Sequence, residues 1–218
     1  MRLTCRYGLG LWIMTTCFFA EKAFAGNLVF EAFGGVAYNA PTRLKIEQAG
    51  FPPIEMTARY STRPFTPAPY CAFRLGWWNG NGGVELEYLH HKIYLDNTTN
   101  EIQVFNIHFG YSFYMINYAW NISDFIFRVG AGGIVTHPVN TIRGKKLVIT
   151  DGSFGGEYYL SGAGMQVAFE RRFYLTKFFM LNLETKITYA YVTVPVVDGQ
   201  AAAPNIAFHG LLGIGFRI

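Results

Sequence analysis

Acidic and basic side chains in this sequence recur at alternate positions of extended segments, where they could form ion pairs or a path for ions. Glu85-Leu-Glu87 and Glu184-Thr-Lys186 show this spacing most clearly. Because successive side chains of a β-strand point to opposite faces, residues two apart share one face. The intervening positions of such segments are mostly apolar, so the pattern predicts strands with one polar and one apolar face.

Other groupings of reactive residue types are less informative. His90 and His91 are adjacent, so their side chains face opposite sides of a strand and cannot share one metal ion through one face. Gly144-Lys145-Lys146 lacks the spacing of a phosphate-binding loop. A serine acyl hydrolase needs Ser, His and an acid within reach, and no histidine is followed two residues later by a serine. We therefore expect no metal site, no cofactor and no catalytic residue.

The alternation extends over eight segments, each close to the ~9–11 residues with which a tilted strand crosses a bilayer. In the seventh, Leu183 and Ile187 share one face while Glu184 and Lys186 share the other. The predicted strands are Leu28–Tyr38, Tyr70–Trp78, Gly83–Ile93, Ile102–Met115, Phe125–Val135, Tyr158–Glu170, Phe178–Tyr191 and Ile206–Ile218.

The connections between these segments alternate in length. Every second connection is short, as in Asn79–Gly82 and Arg171–Lys177, whereas Asn39–Pro69 and Thr136–Glu157 are long. Outer-membrane barrels combine an even number of strands with short periplasmic turns and longer external loops. The sequence therefore predicts an all-β fold, an eight-stranded antiparallel up-and-down transmembrane β-barrel with short periplasmic turns and long extracellular loops.

Three stretches between the strands need a separate prediction. Ile54–Thr62, inside the first long connection, is expected to be an ordered loop, with a ninth strand as the alternative. Asn140–Thr150, around Arg143-Gly-Lys-Lys146, is expected to be a hairpin that extends beyond the membrane. Ile116–Asp124 is expected to be a short connection.

The N-terminal residues and the composition agree with export. Arg2 and Arg6 precede an apolar run that ends in Ala23-Phe24-Ala25, so residues 1–25 are predicted to be a cleaved signal peptide and 26–218 a single barrel domain. Charged residues make up 15% of the chain, against about 25% in a typical soluble protein. After residue 25 no run of ~18 apolar residues occurs, which excludes a spanning helix. The signal peptide takes three cations and one carboxylate with it, so the net charge of +4 becomes +2 and gives no reason to expect nucleic acid binding.

A water-soluble exported barrel that binds a ligand inside would show the same alternation. Its solvent-exposed face would then be the polar face. This face is rich in glycine, as at Gly110, Gly130 and Gly162, and poor in lysine. Its interior would have to hold many rings such as Phe109 and Phe127, more aromatic volume than a small barrel accommodates. Glycine inside a narrow barrel instead makes room for large facing side chains. Both observations favour the membrane protein.

These features resemble the small outer-membrane β-barrel proteins of Gram-negative bacteria, of the OmpA-like transmembrane domain and opacity or surface-antigen type. The resemblance covers the whole mature chain and rests on the signal peptide, on glycine-rich alternating strands such as Val84–Tyr88, and on the terminal strand. In such families the barrel-assembly machinery reads a C-terminal strand that usually ends in Phe, whereas here Phe216 is followed by Arg217-Ile218.

The resemblance implies a location and a role. It implies a monomer in the cell outer membrane that contacts outer-membrane lipid and lipopolysaccharide and engages the barrel-assembly machinery through its C-terminal strand. It also implies a structural or surface-interaction role, in adhesion or contact with a host surface ligand, carried by the long loops. The alternatives are a narrow channel for ions or small solutes and, from a different class, a lipid A-modifying outer-membrane enzyme.

When the apolar faces are turned toward lipid, the polar faces define a lumen. A barrel of about eight strands has an interior just filled by side chains, so charges there must pair. We expect a structural polar plug, with a gated ion path or a proton-sensitive plug at His108 as the alternative. The predicted lumen residues are Glu31, Arg74, Glu85, Glu87, Asn106, His108, Arg128, Gln166, Glu170, Asn182, Glu184, Lys186, His209 and Arg217.

Antiparallel register predicts which of these residues meet. A turn at Asn79-Gly80 would place Arg74 opposite Glu85 with Glu87 diagonal to it, and the next two turns would place His108 opposite both Glu87 and Arg128.

Two further meetings are predicted near the C-terminus. Lys186 is expected opposite His209. Glu31 and Arg217 are expected to approach each other where the first and last strands close the barrel.

The second long loop carries a basic tip. Arg143, Lys145 and Lys146 could contact lipopolysaccharide phosphates or host polyanions, or could form a tip that is merely solvated.

Overall fold

A computed structural model describes residues 26–149, 152–153 and 156–218, so the predicted signal peptide lies outside the described residues. Within them no helix is long and apolar enough to cross a membrane. The described strands are β1 (Asn27–Ala40), β2 (Thr42–Gln48), β3 (Ile54–Ala58), β4 (Tyr60–Ser61), β5 (Cys71–Asn79), β6 (Gly82–Leu95), β7 (Ile102–Ile122), β8 (Phe125–Ile142), β9 (Lys145–Lys146), β10 (Tyr159–Tyr174), β11 (Phe179–Val196), β12 (Gly199–Ala202) and β13 (Asn205–Arg217).

Eight of these strands close into a ring. Each pairs with its neighbours in the order β1, β5, β6, β7, β8, β10, β11 and β13, and β13 pairs again with β1. All of these pairs are antiparallel. Every predicted strand corresponds to one strand of the ring, so the predicted eight-stranded antiparallel up-and-down barrel is confirmed.

The ring has two different ends. Three short turns and the residues Asn27 and Arg217 lie at one end, which we call the turn end. The shorter strands β2, β3, β4, β9 and β12 lie at the other end, which we call the head end. There β12 and β2 pair side by side next to β11, and β3 pairs with β2. The head is therefore a structured extension of the barrel wall.

β7 extends further toward its turn with β8 than predicted, whereas β8 begins at Phe125 as predicted. The predicted connection Ile116–Asp124 is wrong, since β7 continues to Ile122 and only Ser123 and Asp124 remain for the turn. The reason is that Ile116 and Tyr118 continue the outward apolar positions of the strand and are exposed. Ser123 takes a positive φ of 57°, which allows the tight reversal.

The first long connection is also more regular than predicted. The ordered loop over Ile54–Thr62 is wrong, because Ile54–Ala58 pairs with β2 and Tyr60–Ser61 pairs with β6. These strands lie at the head end and do not add a strand to the eight-stranded ring. The predicted hairpin at Asn140–Thr150 is confirmed over its described residues, with β8 and β9 pairing around the turn at Arg143 and Gly144. Thr150 lies outside the described residues.

Over most of β7 the two faces are the reverse of the prediction, although Phe109, at the bulge, is exposed as predicted. Phe105, Tyr111 and Phe113 are buried inside the ring, whereas Asn106 and His108 face outward. The interior accepts these rings because the facing positions are small. A Cβ atom at Gly164, for example, would lie 2.8 Å from Cε1 of Phe113. The aromatic side chains of β7 thus fill the head-end half of the barrel.

Candidate functional site

A layer of buried charge crosses the barrel nearer its turn end, and Arg74 of β5 is its first centre. The guanidinium donates to Glu31 at 3.0 Å and to Glu184 at 2.7 Å. It also donates to Glu87 at 3.1 Å and Glu170 at 3.2 Å. These carboxylates come from β1, β6, β10 and β11, so one arginine of β5 connects its own strand with four others of the wall.

Arg128 of β8 is the second centre. It donates to Glu170 at 2.7 Å and to Glu184 at 2.6 Å, and it forms a two-pronged contact with Glu85. Planar guanidinium groups suit such bidentate contacts with carboxylates. Two carboxylates, Glu170 and Glu184, are therefore shared between the two central arginines.

Two more cations complete the layer. Lys186 contacts Glu87 and lies 3.0 Å from Glu184. Arg172 donates its Nε–H to Glu31 and Glu170, each at 2.9 Å. The layer thus holds four cations, Arg74, Arg128, Arg172 and Lys186, against five carboxylates, Glu31, Glu85, Glu87, Glu170 and Glu184.

Neutral amides use the remaining acceptor sites of the carboxylates. Asn117 and Gln166 each donate to Glu87 at 2.9 Å, and Asn182 donates to Glu31 at 2.8 Å. Moving one charge into a low-dielectric interior costs several kcal/mol unless it is paired and hydrogen-bonded. Dense pairing is what allows the layer to be buried.

Small residues make space for the layer. A Cβ atom at Gly215 would lie 3.1 Å from Nδ2 of Asn182 and 3.3 Å from Cγ of Glu31. Glycine at this inward position leaves room for the long side chains that reach across the lumen. The predicted glycine-rich polar face thus has a packing reason.

The predicted cross-strand register holds at one position and fails at the others. Lys186 is opposite His209, as predicted. Arg74 is opposite Glu87, not Glu85, because the turn is formed by Gly80 and Asn81 and shifts the partner by two residues. Glu85 still lies 3.6 Å from Arg74.

His108 does not belong to the charge layer. Its predicted partners meet other residues instead, Glu87 opposite Met115 and Arg128 opposite Ala119. His108 lies on the outer face, where β7 bulges, and its ring stacks on Tyr94 with centroids 5.2 Å apart. A proton-sensitive plug at this residue is therefore not supported.

The closure of the barrel also differs from the prediction in its side-chain contacts. The first and last strands do pair, as predicted. Glu31, however, is opposite Gly215, and Arg217 is opposite Val29, so the two residues are diagonal neighbours and form no ion pair within 4 Å. Backbone hydrogen bonds between Leu28 and Ile218 fix this register. In this register Glu31 forms ion pairs with Arg74 and Arg172.

Arg172 and Asn117 are members of the layer that the sequence reasoning missed. Arg172 falls in the predicted connection Arg171–Lys177 and Asn117 in the predicted connection Ile116–Asp124, because both predicted strands end too early. The signal was present in the spacing, since Arg172 is in phase with Gln166 and Glu170 on β10. Polar residues that continue an inward alternation indicate that a strand continues.

Buried apolar clusters lie on both sides of the charge layer. Toward the turn end lie Val29, Trp78, Ala119, Ile126 and Met180. Toward the head end lies a much larger cluster that includes Tyr111, Phe113 and the aliphatic residues of the head.

Between the charge layer and the head-end cluster lies a hydrogen-bonded group around His209. Its ring nitrogens are 2.7 Å from the Tyr70 hydroxyl and 2.8 Å from the Thr188 hydroxyl. A second histidine, His91, is bonded to Asn39 at 2.9 Å. Both histidines are buried, and Nδ1 of His91 has no hydrogen-bond partner among the described residues.

Arg74 and Glu87 should be energetically coupled. In a double-mutant cycle with Arg74→Met and Glu87→Gln, we expect a coupling of about 0.5–3 kcal/mol in the free energy of unfolding, because the groups share a buried network. The matched control combines Arg74→Met with Glu47→Gln at the exposed tip of the head, where we expect the two effects to add. Equal results in both cycles would contradict the described network.

The outer face of the ring is apolar on every strand. All eight strands expose large apolar side chains, and Leu212 exposes 69% of its surface. One example from each strand is Phe30, Leu75, Leu86, Ile116, Phe125, Val167, Leu183 and Leu212. The barrel thus has charges inside and hydrocarbon outside.

The basic tip of the second long loop is built differently from the prediction. Arg143 exposes only 10% of its side chain and donates to Glu101 at 2.8 Å and to the Pro52 carbonyl at 2.9 Å. Lys145 bonds Asp198 at 2.7 Å. These two residues join hairpins of the head to one another, so the solvated tip is wrong for Arg143, and Lys146 alone of the three makes no described side-chain contact.

A serine and a histidine of adjacent strands meet on the outer face. The spacing of residues along a single strand does not predict this contact. His90 of β6 is opposite Ser112 of β7, and Nδ1, the Ser112 hydroxyl and the Tyr88 hydroxyl are mutually 3.3 Å apart. Nε2 of His90 is buried and has no partner among the described residues, so the acid of a catalytic triad is missing there. Nor do three potential metal ligands converge anywhere in the described part of the chain.

No protein-family profile matches the sequence, and no curated protein gives a significant sequence match. Similar solved structures include Ail, the attachment invasion locus protein of Yersinia pestis, at 12% identity and a TM-score of 0.39, covering 88% of this chain and 99% of that one. Neisserial surface protein A follows at 8% identity and a TM-score of 0.43, covering 88% and 97%. Outer membrane protein AlkL has 12% identity and a TM-score of 0.46, covering 88% and 90%. All three are small outer-membrane β-barrel proteins of Gram-negative bacteria, and this chain is similar to them in fold.

Proposed function

We propose that this chain is an integral protein of the cell outer membrane with a plugged lumen and a structural or surface-interaction role, without catalysis. The observation that carries the proposal is the inversion of its surfaces, with the charge layer inside and large apolar side chains exposed around the whole ring. In water such a belt would aggregate, whereas in a bilayer it is the surface that lipid requires.

The height of the apolar belt fits a bilayer. On β1 the outward apolar positions run from Leu28 to Tyr38. Ten residue steps span about 34 Å along a strand, and a tilt of about 40° reduces this to about 26 Å. Outer-membrane barrels carry an apolar band of about 25 Å. Both edges of the belt carry aromatic residues, as Phe216 at the turn end and Tyr38 at the head end illustrate.

The head end is the part of the protein that would meet partners outside the cell. Its hairpins are held together by Arg143 and Lys145, and a rigid surface of this kind suits adhesion or contact with a host surface ligand. The remaining partners follow from the location, namely outer-membrane lipid, lipopolysaccharide around the belt, and the barrel-assembly machinery through the C-terminal strand. The protein would act as a monomer.

Cell fractionation tests the location. We expect the protein in the outer-membrane fraction, with a gel mobility that changes when the sample is boiled, because a closed barrel resists detergent until heat opens it. The measurement compares unboiled and boiled samples of the outer-membrane fraction and of the soluble periplasmic fraction. Recovery in the soluble periplasm, with one mobility under both conditions, would contradict the proposal.

Planar-bilayer recordings separate a plug from a narrow channel. We expect no steady conductance, because the charge layer lies between two buried apolar clusters. Reproducible unit conductance from a heat-modifiable sample would favour the channel instead.

A further inference from the structure

A small cavity opens into the barrel at the turn end and borders the charge layer at Arg172. Its volume is 70 Å³, and its lining includes Asn27, Trp78, Asn121, Arg172 and Arg217, which come from five strands. One water molecule needs about 10–15 Å³, so a tetrahedral oxyanion fits in this space.

The lining is rich in hydrogen-bond donors. Among the described residues that line the cavity none is acidic, whereas the asparagine amides, the indole and both guanidinium groups carry N–H donors. Two of these donor groups are buried and have no hydrogen-bond partner in the part of the chain that the structure describes, Nε1 of Trp78 and Nη2 of Arg172. Buried donors are almost always paired, so two of them on residues that line one cavity indicate an acceptor that binds there.

Arg172 is held so that part of its guanidinium remains available. Its side chain is only 6% exposed, its Nε–H is bonded to Glu31 and Glu170, and the group lies 4.8 Å from the Trp78 ring. Its Nη2 is 3.8 Å from Glu85, which is too far for a hydrogen bond. The charge layer therefore orients Arg172 and leaves one nitrogen unsatisfied.

The charges around the cavity favour an anion. An adjoining cavity of 270 Å³ shares Asn121 and Arg172 with it and adds Arg171 and Asp124. Across both cavities three arginines face one aspartate, and that aspartate is 3.3 Å from Arg171. Glu31 and Glu170 also contact Arg172, through its Nε–H. Arg217 has no ion-pair partner within 4 Å among the described residues and brings an uncompensated charge to the opening.

We propose that the turn-end cavity binds a small oxyanion of the phosphate type, which takes hydrogen bonds from Arg172, Arg217 and the Trp78 indole. The oxyanion can arrive as free phosphate or as the phosphate of a lipid headgroup, since both have the same chemistry. The proposal does not depend on the role of the head end, and it can be tested in detergent without reference to location.

The test uses the folded barrel in a phosphate-free neutral detergent at constant ionic strength. Inorganic phosphate is added while the indole N–H resonance of Trp78 is followed by NMR, and binding heat is measured in parallel. We expect a saturable shift of that resonance. Arg217→Gln should weaken binding by about tenfold or more, because it removes a charge-assisted hydrogen bond. Trp78→Phe identifies the resonance and should also weaken binding.

Matched variants act as controls. Arg59→Gln removes a guanidinium at the head end and Trp77→Phe removes the indole next to Trp78 on the outer face, so neither should change the affinity. Heat-dependent gel mobility checks that each variant is folded. No saturable shift of the Trp78 resonance, or an unchanged affinity in folded Arg217→Gln, would overturn the proposal. Glycerol phosphate in place of phosphate identifies the source, since tighter binding of the ester indicates a headgroup and weaker binding indicates the free ion.

Discussion

Replacement of Arg128 by methionine is expected to lower the free energy of unfolding in lipid vesicles by about 3–5 kcal/mol, because it leaves buried carboxylates without their cation. Arg128 is completely buried and contacts Glu85, Glu170 and Glu184. Methionine fills much of the same volume, so loss of packing contributes little to the change. Denaturant unfolding followed by tryptophan fluorescence measures the difference.

The control for this variant is an arginine in a surface ion pair. Arg43 contacts Glu55 with 72% of its side chain exposed, and Arg43→Met should change the free energy of unfolding by about 0–1 kcal/mol. Arg128→Lys gives a second comparison, since it keeps the charge but loses the two-pronged contact with Glu85. If Arg128→Met were no more harmful than Arg43→Met, the charge layer would not contribute to stability as described.

Replacement of Leu212 by arginine is expected to cost about 2–4 kcal/mol in vesicles, the cost of a basic residue on the lipid face near the bilayer midplane. Leu212 lies near the middle of β13 and exposes 69% of its surface. In a water-soluble protein the same substitution at so exposed a position would change stability by about 0.5 kcal/mol or less. The size of the effect therefore distinguishes lipid from water at the outer face.

Val148 provides the matched position outside the belt. It exposes 74% of its surface beyond β9 at the head end, and Val148→Arg should be nearly neutral under the same conditions. Both variants are compared with the parent by denaturant unfolding in identical vesicles. Equal and small effects at Leu212 and Val148 would contradict a lipid-facing belt.

The strands of the ring could be predicted because the two-residue alternation is a local property of each segment. The facing of β7 could not, because both of its faces are apolar, with Phe113 and Met115 on one and Tyr114 and Ile116 on the other. Hydropathy does not distinguish two such faces. The space available inside the ring determines which of the two faces points inward. Here the glycine at position 164 faces Phe113 and admits the larger rings.

Membership of the charge layer was partly predictable, whereas its pairing was not. Arg74 and Glu184 could be assigned to the lumen from their position on a polar face. That they meet at 2.7 Å follows from the closure of the ring, which brings residues of non-neighbouring strands across the lumen. Cross-strand register considers only adjacent strands, so it missed contacts of this kind. An error of one residue in the position of a turn, as at Gly80, shifts every cross-strand partner that is predicted from this turn by two residues.

The charge layer also constrains the order in which the barrel can assemble. Glu31 stands near the start of the described chain, and its partners Arg172 and Asn182 follow it by 141 and 151 positions. Some of these charges pair within one hairpin, as Arg74 does with Glu87, but Arg74 and Arg128 reach carboxylates of non-neighbouring strands only after those strands have joined. The full set of contacts in the charge layer therefore forms only when the ring is closed. We therefore expect closure of the wall and burial of the charge layer to be coupled, because a barrel that is left open lacks the contacts that cross the lumen.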